Sequence, residues 1–307
     1  MIADVTNFSY SQLPERGILS VQGVDAISFL QGLITQDITL CQPNKMVYSC
    51  FLTPQGRYIS DFFIWWQPEG VLLEMPLSHL PAIRQRLLMF RLRSKVEITD
   101  ISPNYHSFAL WPNKENEQTQ WPITEGDVIT GNDYWLARDP RLAAMGWRLL
   151  SACESPTILQ EANKDETYSL RRLQHIVPEY PAELIPEKTL LLEANMDCLH
   201  TISWSKGCYM GQELTARTHY RGLVKKRLAG FHTEKFIPSL DISTPIMAEN
   251  QEIGHILSYE QGHGIAMVKI DAWQKAMAAS TIFTIDGVKT IILPPPHAHQ
   301  FFGTQIF

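Results

Sequence analysis

The chain has 307 residues, a length that predicts two or three packed domains rather than one hydrophobic core. Hydrophobic residues make up 45% and charged residues 19% of the sequence, as is usual for a globular protein. The formal net charge of −6 weighs against broad, sequence-independent binding to nucleic acid, which normally requires an excess of basic residues.

The cysteines and the apolar runs predict the compartment. The five cysteines include no Cys-x-x-Cys pair, so neither a disulfide framework nor a four-thiolate metal site is expected. Residues 1–7 lack the basic and apolar regions of a signal peptide, and apolar runs such as residues 62–66 are too short to span a bilayer. These features predict a cytoplasmic protein with no membrane partner.

In the N-terminal part, residues 17–21 predict a strand, and Asp25 is the candidate N-cap of the helix that follows. Residues 46–52 and 58–66 are rich in β-forming residues and flank a Pro/Gly turn at residues 53–56. This arrangement predicts a β-hairpin.

Residues 71–75 and 96–98 predict further strands around a helix over residues 78–93. Four arginines of this helix are interpreted mainly as a solvated face, with guidance of an anionic ligand as the alternative. Strands and helices in this order favour an antiparallel sheet with helices on one face, an α+β arrangement.

The C-terminal part begins with a polar stretch, residues 113–120, that predicts an exposed loop. Residues 135–138 and 146–150 predict strands, and residues 167–176 predict a helix that ends before Pro178. Beyond Lys225, short β-like runs alternate with turns, which predicts a small separate barrel or sandwich. These runs are residues 228–231, 253–258, 264–268, 281–285 and 290–293.

The stretch with the most chemical information is residues 206–217, Lys-Gly-Cys-Tyr-Met-Gly-Gln-Glu-Leu-Thr-Ala-Arg. Good helix formers from Gly211 onwards place Cys208 just before or within a helix N-terminus, where backbone amides and Lys206 would favour a thiolate. Cys208 is therefore the best candidate for a reactive side chain. A buried, inert cysteine at a strand–helix junction is the alternative.

The polar residues of this stretch also allow two interpretations. Glu213 and Arg217 are four positions apart and can pair on a helix face. Gln212 and Glu213 can instead face a cleft, where amide and carboxylate groups suit the donor edge of a pterin ring.

The pattern Lys-Gly-Cys-Tyr-x-Gly-Gln-Glu-x-x-x-Arg, followed by Arg221-Gly222, resembles the signature of the YgfZ family of folate-binding proteins, relatives of the aminomethyltransferase (T-protein) of glycine cleavage. Weaker similarity covers most of residues 16–230, including the hairpin turn at residues 54–57 and the segment from Arg172 to Pro178. The family usually reads Gly-Ile-Pro at residues 176–178, where this chain has Ile-Val-Pro.

The resemblance implies an α+β fold of the aminomethyltransferase (T-protein) type, with antiparallel sheets and a C-terminal small β-barrel. The expected domains are residues 1–225, a folate-binding region of two interleaved subdomains, and residues 226–307. Tetrahydrofolate or a derivative is the implied cofactor, and Cys208 is the implied functional thiol, acting toward a cluster sulfur or an oxidised one-carbon adduct. The implied cofactor-binding residues are Lys206, Gly207, Tyr209, Gln212, Glu213, Arg217, Arg172, Glu187 and Glu193.

The family role implied by the resemblance is that of an accessory protein for the assembly or repair of iron–sulfur enzymes, linked to tRNA modification. Its implied partners are folate and iron–sulfur client enzymes such as radical-SAM proteins. One alternative is a folate-dependent aminomethyl (one-carbon) transferase, although such enzymes lack the Lys-Gly-Cys-Tyr element. Another is an interaction module that no longer binds a ligand.

Nucleic-acid and metal sites are not predicted. Direct tRNA binding would depend on the basic cluster at residues 225–227 with Arg221, which is more typical of a solvated strand end. The spacing of His297 and His299 suits a metal, but no third ligand is close in the sequence, and the other histidines form no metal-binding pattern.

Overall fold

The computed structural model describes residues 6–114 and 121–302, which form two compact units. Unit 1 comprises the residues up to Tyr168 together with Leu199–Gln212, and unit 2 comprises Ser169–Cys198 together with the residues from Glu213 onwards. Unit 2 thus includes residues 169–198 and 213–225, which precede the domain boundary predicted after residue 225, and that boundary stays a prediction.

The described residues of unit 1 form two β-sheets and two α-helices. Its strands are β1 (Phe8–Gln12), β2 (Arg16–Gln22), β3 (Val47–Leu52), β4 (Tyr58–Gln67), β5 (Gly70–Pro76), β6 (Glu97–Asp100), β7 (His106–Pro112), β8 (Val128–Thr130), β9 (Tyr134–Arg138), β10 (Trp147–Ser151) and β11 (Asn163–Lys164). Its helices are α1 (Ala26–Gln31) and α2 (Leu80–Arg91). Short 3-10 helices lie at Ile38–Leu40, Leu77–His79, Ser102–Asn104, Ala143–Met145 and Thr157–Leu159.

The five-stranded sheet of unit 1 has the order β3-β4-β5-β2-β6 and is antiparallel throughout. Helices α1 and α2 cover one face of this sheet, where Leu30 and Ile83 join Phe51 and Ile64 in a continuous apolar core. The opposite face carries polar side chains, because Cys50 pairs with Asp61 between β3 and β4 and successive strand residues point to opposite faces. This polar face positions the candidate site.

The six-stranded sheet of unit 1 has the order β11-β1-β7-β10-β9-β8. Its strands pair in the antiparallel direction, except that β1 and β11 are parallel. The antiparallel sheets predicted from the sequence are thus confirmed, with this one parallel pair added.

Unit 2 contains a closed six-stranded barrel of order β12-β15-β14-β13-β16-β17. The strands are β12 (Lys226–Thr233), β13 (Pro245–Ala248), β14 (Gln251–Glu260), β15 (His263–Lys269), β16 (Phe283–Ile285) and β17 (Val288–Leu293), and the helices along this part of the chain are α3 (Tyr168–Gln174), α4 (Gln212–Tyr220) and α5 (Ile270–Ala278). Further 3-10 helices lie at Met196–Cys198 and Pro296–Phe302. Trp273 of α5 packs into the apolar core of the barrel with Phe231 and Ile256. The predicted C-terminal β-barrel is confirmed.

Several other predictions about local structure can be compared with these elements. The hairpin is confirmed as β3 and β4, and the helix over residues 78–93 as α2. Asp25 is the N-cap residue of α1, as predicted, but its carboxylate makes no capping bond to the helix and instead accepts a hydrogen bond from the backbone N–H of Lys95 at 2.7 Å. Of the predicted loop at residues 113–120, the first two residues are exposed and the other six lie outside the described residues.

Candidate functional site

The segment Leu199–Gln212, which includes the start of the motif, packs against the turn after helix α1 in unit 1. Thr35 Oγ1 donates a hydrogen bond to the carbonyl of Thr201 at 2.7 Å, and the Ser203 N–H donates to the carbonyl of Thr35 at 3.0 Å. Gln36 Nε2 donates to the carbonyl of His200 at 2.6 Å. These bonds fix the segment before the motif begins.

Lys206 is buried, and its ammonium group donates three hydrogen bonds to backbone carbonyls. Its Nζ donates to the carbonyls of Gln31, Ile34 and Gln36 at 2.7, 2.9 and 2.9 Å. Burial lowers the pKa of Lys206 to about 8, and the nearby Asp37 carboxylate opposes that shift. Since an ammonium has three hydrogens to donate, Lys206 holds the motif on the end of α1, and its predicted contact with a cofactor stays a prediction.

Tyr209 is buried and reaches a group of polar side chains on the helix-free face of the five-stranded sheet. We call Tyr48, Cys50, Tyr58, Asp61 and Tyr209 the tyrosine cluster. The Tyr58 hydroxyl donates to Asp61 Oδ1 at 2.7 Å. Beyond the effect of burial, Cys50 contributes to the raised pKa values of all three tyrosines, and Asp61 in turn raises the pKa of Cys50. The motif thus contributes one side chain to a polar site that is otherwise made by β3 and β4.

Two hydroxyl groups of the tyrosine cluster have no hydrogen-bond partner among the described residues, those of Tyr48 and Tyr209. Burial raises the pKa of both tyrosines, and the neighbouring Asp61 and Cys50 add to the effect at Tyr48, as Cys50 does at Tyr209. Both hydroxyls therefore stay protonated at neutral pH. A buried hydroxyl without a partner is costly, so such groups often mark a place where a ligand or water binds.

A buried ion-pair network surrounds the cluster in unit 1. Glu74 is bonded to Arg148, lies 3.6 Å from Arg16 Nε and accepts a hydrogen bond from Trp65 Nε1 at 3.0 Å. Burial by itself raises the pKa of Glu74, but the two arginines outweigh it and hold that pKa below its usual value. Arg16 also lies 3.6 Å from Asp61 Oδ2, so the network extends into the tyrosine cluster.

Cys208 is exposed, and the adjacent Gly207 has open space where a side chain would project. Helix α4 begins only at Gln212, and Gly211 separates it from the cysteine with a φ of +80°. A Cβ at Gly211 would lie 2.4 Å from the carbonyl of Thr53, so the chain passes too close to the hairpin turn for any other residue. The Lys206 ammonium faces the carbonyls of the α1 turn, and its predicted effect on Cys208 stays a prediction.

The remaining cysteines differ from Cys208 in their surroundings. Cys41 and Cys50 are buried, and burial raises the pKa of Cys41 to about 12. Burial also raises the pKa of the half-buried Cys198 to about 12, with a contribution from Asp197. Cys153 is exposed like Cys208 and offers a matched control for it.

The other predicted binding residues lie along α4 and in unit 2. Glu213 and Arg217 are exposed on α4, and Gln212 is its half-buried first residue. Arg172 Nη1 is 2.8 Å from Glu183 Oε2. Their cofactor roles stay predictions.

The two carboxylates named as possible pterin ligands also lie in unit 2. Glu193 Oε2 lies 3.3 Å from Lys226 Nζ, an ion pair within unit 2. Glu187 is exposed and has a φ of +62°. Neither position tests the proposed contact with a pterin.

Sequence reasoning missed most of the tyrosine cluster. Neither Asp61 nor Glu74 is part of the motif or one of the binding residues implied by the resemblance. The available signal was one carboxylate in each of two largely apolar strands, because carboxylates are rarely fully buried unless they have partners.

Residues 6–114 and 121–302 contain neither a metal-binding cluster nor a membrane-spanning helix. No group of three or more histidine, cysteine, aspartate or glutamate side chains in this part of the chain is arranged to hold a metal ion. No helix in it is long and apolar enough to cross a membrane.

Comparison with known proteins gives the family. The chain is 34% identical over 288 residues to the iron-sulfur cluster assembly factor IBA57, mitochondrial, of Mus musculus, covering 87% of this chain and 79% of that protein. It is 32% identical over 275 residues to the Homo sapiens protein of the same name, covering 84% and 76%. This chain belongs to the IBA57 family. Residues 225–300 match the family described as CAF17, C-terminal beta-barrel domain.

Other relatives are longer than this chain. The IBA57 homolog of Mycosarcoma maydis is 37% identical over 244 residues, which are 74% of this chain but 58% of that protein. The resemblance to the YgfZ family, read from the motif, is thus made more specific, because the named relatives are IBA57 proteins. The prediction of a cytoplasmic location is wrong, since the relatives are named as mitochondrial. Unpaired cysteines indicate a reducing compartment but do not say which one.

The fold is that of the aminomethyltransferases. The glycine cleavage system aminomethyltransferase T from Bartonella henselae superimposes with a TM-score of 0.73 over 96% of this chain and 87% of that chain, at 13% sequence identity. The predicted fold class is confirmed. At this identity the similarity concerns the fold alone.

Proposed function

We propose that this IBA57-family chain is a tetrahydrofolate-binding accessory protein for the assembly or repair of iron–sulfur enzymes, with Cys208 as its functional thiol. The observation that carries the proposal is the similarity to the mouse and human iron-sulfur cluster assembly factors over more than three quarters of their length. The aminomethyltransferase-like fold supports the folate part of the proposal.

Cys208 suits a thiol that must meet another protein. It is exposed, it follows a glycine with open space around it, and the residues on either side are anchored through Lys206 and Tyr209. Thiolates are the usual protein ligands of iron–sulfur clusters, so a cysteine presented in this way can serve as a ligand to a cluster carried by a partner. No metal site of its own is required for that role.

The tyrosine cluster supports the cofactor part of the proposal. Tetrahydrofolate, when bound, supplies a carrier for one-carbon units. Its pterin ring presents polar N–H and carbonyl groups, and the hydroxyls of Tyr48 and Tyr209 are buried groups that still require partners. Asp61 adds a carboxylate that can accept N–H bonds. Among the motif residues that are implied to bind the cofactor, Tyr209 is the one that this geometry supports best.

The link to tRNA modification would run through client enzymes such as radical-SAM proteins. The basic cluster at residues 225–227 offers little for direct RNA contact, because Arg227 is buried and bonded to Asp197 at 2.8 and 2.9 Å. Lys226 is paired with Glu193. An RNA-binding surface would need several unpaired cations to neutralise phosphates.

A folate-dependent aminomethyl transferase is the second candidate, favoured by the fold similarity to aminomethyltransferase T. It is tested by incubating the protein with an aminomethyl donor and tetrahydrofolate and measuring methylene-tetrahydrofolate. Turnover above that of a heat-inactivated sample would support this candidate over an accessory role.

The assembly role is tested in cells depleted of their own IBA57 protein. The wild-type chain, directed to mitochondria, is expected to restore the activity of a mitochondrial iron–sulfur enzyme. Cys208→Ser should restore much less, whereas Cys153→Ser, which changes the other exposed cysteine, should act like wild type. Full restoration by Cys208→Ser would show that the thiol is not functional, and no restoration by the wild type would overturn the assembly role.

A further inference from the structure

Helix α4, which forms the C-terminal half of the motif, has few buried side chains. Thr215 is its one buried residue among nine. Tyr220 is 71% exposed, and Leu223, just after the helix, is 53% exposed. Helices of globular proteins usually bury an apolar stripe, and α4 lacks one.

The helix is nevertheless terminated in a defined way. The N–H of Leu223 donates to the carbonyl of Thr218 at 3.2 Å, and the N–H of Gly222 donates to the carbonyl of His219 at 3.1 Å. With Gly222 at a φ of +61°, this is a Schellman C-cap. A nine-residue helix is too short to be stable on propensity alone, so a well-capped helix with so little burial is typical of an element that packs against another molecule.

The exposed side of α4 is basic in a chain that is acidic overall. Arg217, Arg221 and Lys225 are exposed, and Glu213 is the one carboxylate of the helix. Arg217 and Arg221 are one turn apart, and the Arg221 N–H donates to the Arg217 carbonyl at 3.2 Å, so the turn continues to that point. At 100° per residue the two arginines occupy the centre of the exposed side.

The apolar residues flank this basic centre. Leu214, which is 39% exposed, lies on one side of the two arginines, and Tyr220 lies on the other together with Glu213. A helix that binds a bilayer has the reverse arrangement, with apolar residues in the centre and cations at the edges. Arginine and tyrosine are the residues enriched in protein–protein interfaces, and a guanidinium binds a carboxylate through two parallel hydrogen bonds.

We propose that α4 and the loop over residues 221–225 form a docking surface for an acidic protein partner, one that presents carboxylates about one helical turn apart. The inference rests on the proposed function, because a protein carrying an iron–sulfur cluster is the partner that a cluster assembly factor must meet. It adds the chemistry by which that partner is recognised.

The test uses the full chain and fluorescently labelled poly-L-glutamate as the acidic probe, with binding measured by anisotropy at low salt. Arg217→Glu/Arg221→Glu is expected to weaken binding by about tenfold or more, since reversing two exposed charges removes attraction and adds repulsion. The matched control is Arg91→Glu/Arg93→Glu. These arginines are also exposed, but they line a cleft that contains the carboxylates of Glu69 and Glu97, so the control should stay within about twofold of wild type.

Three outcomes would overturn the docking surface. Equal losses of affinity for poly-L-glutamate in the two double variants would show a general charge effect. No binding of poly-L-glutamate by the wild type would show that acidic polypeptide is not recognised. Tighter, α4-dependent binding to a single-stranded RNA or to phosphatidylglycerol vesicles would assign the surface to another class of partner. None of these results bears on restoration of iron–sulfur enzyme activity by the wild-type chain, so a failure here is separate from a failure of the proposed function.

Discussion

Lys206 shows how one motif residue can anchor a distant segment of the chain. Its three hydrogen bonds close the turn after α1, and its partners lie 170 to 175 residues away in the sequence. The motif identified Lys206 as important, but its structural role could not be predicted, because nothing in the local sequence indicates which carbonyls it meets. The exposed Cys208, two positions later, is placed by this anchor.

We expect Lys206→Met to lower the free energy of unfolding by about 2–3 kcal/mol at pH 7, because the substitution leaves three convergent carbonyls without a donor. Urea unfolding followed by circular dichroism measures the change. Lys45→Met is the control: Lys45 bonds to Asp127 and to the carbonyl of Glu125 but is half-exposed, so a loss below about 1 kcal/mol is expected there. Equal losses in the two variants would contradict the anchoring role.

At the residue scale, His175 should also make the stability of the protein depend on pH. Burial lowers its pKa to about 4, and Arg171 adds to the effect, whereas the ordinary value is 6.5. Between those values the unfolded chain binds a proton that the folded chain does not, so this contribution to stability is complete above pH 6.5 and is lost as the pH falls through 4.

Wild-type protein should therefore lose more stability than His175→Gln when the pH is lowered from 7 to 5. The expected difference is about 1 kcal/mol after allowance for solvent screening. Urea unfolding at the two pH values measures it. The same pH dependence in both proteins would show that His175 is not the group responsible.

Among the elements, the segment after α3 has an isoleucine at a position whose backbone conformation favours glycine. Ile176 has a φ of +57° and is buried, and its Cδ1 lies 2.6 Å from the place where a Cβ on Gly230 of β12 would be. The YgfZ family, which the motif resembles, usually has glycine at the position of Ile176. In this chain isoleucine adopts the left-handed conformation, and its side chain fills the space left by Gly230.

A double-mutant cycle tests this complementarity. Gly230→Ala is expected to destabilise the wild type by about 2 kcal/mol, because its Cβ would overlap Ile176, and to cost at least 1 kcal/mol less in an Ile176→Gly background. Ile176→Gly alone relieves backbone strain but loses a buried side chain, so a net destabilisation is expected. Additive effects of the two substitutions would contradict direct packing between them.

Elements also differed in how well the sequence predicted them. The hairpin β3–β4 and helix α2 were predicted because β-forming residues flank a Pro/Gly turn and apolar residues recur at helical spacing. The edge strands β8 and β11 have three and two residues, too few to form a pattern. Helix α5 was missed although Ile270, Trp273 and Ala276 recur at three-residue spacing, because it lies between strands of the barrel.

At the scale of the whole molecule, the fold class was predictable and the site was not. The motif and the β-rich C-terminal region led to the aminomethyltransferase-like fold with its closed barrel. The tyrosine cluster was not found, because it depends on cross-strand pairing of Cys50 with Asp61 and on a distant segment that brings in Tyr209. Long-range contacts of this kind leave no local pattern in a sequence.

Calorimetric titration with tetrahydrofolate is the most direct test of the proposed cofactor. Wild type is expected to bind, and Cys208→Ser to bind equally well. Tyr48→Phe and Tyr209→Phe each remove a buried hydroxyl that has no partner among the described residues, so they should keep or raise the unfolding free energy while weakening binding by about tenfold. No binding of tetrahydrofolate by folded wild-type protein would overturn the proposed cofactor, and unchanged binding by both tyrosine variants would show that the tyrosine cluster is not its site.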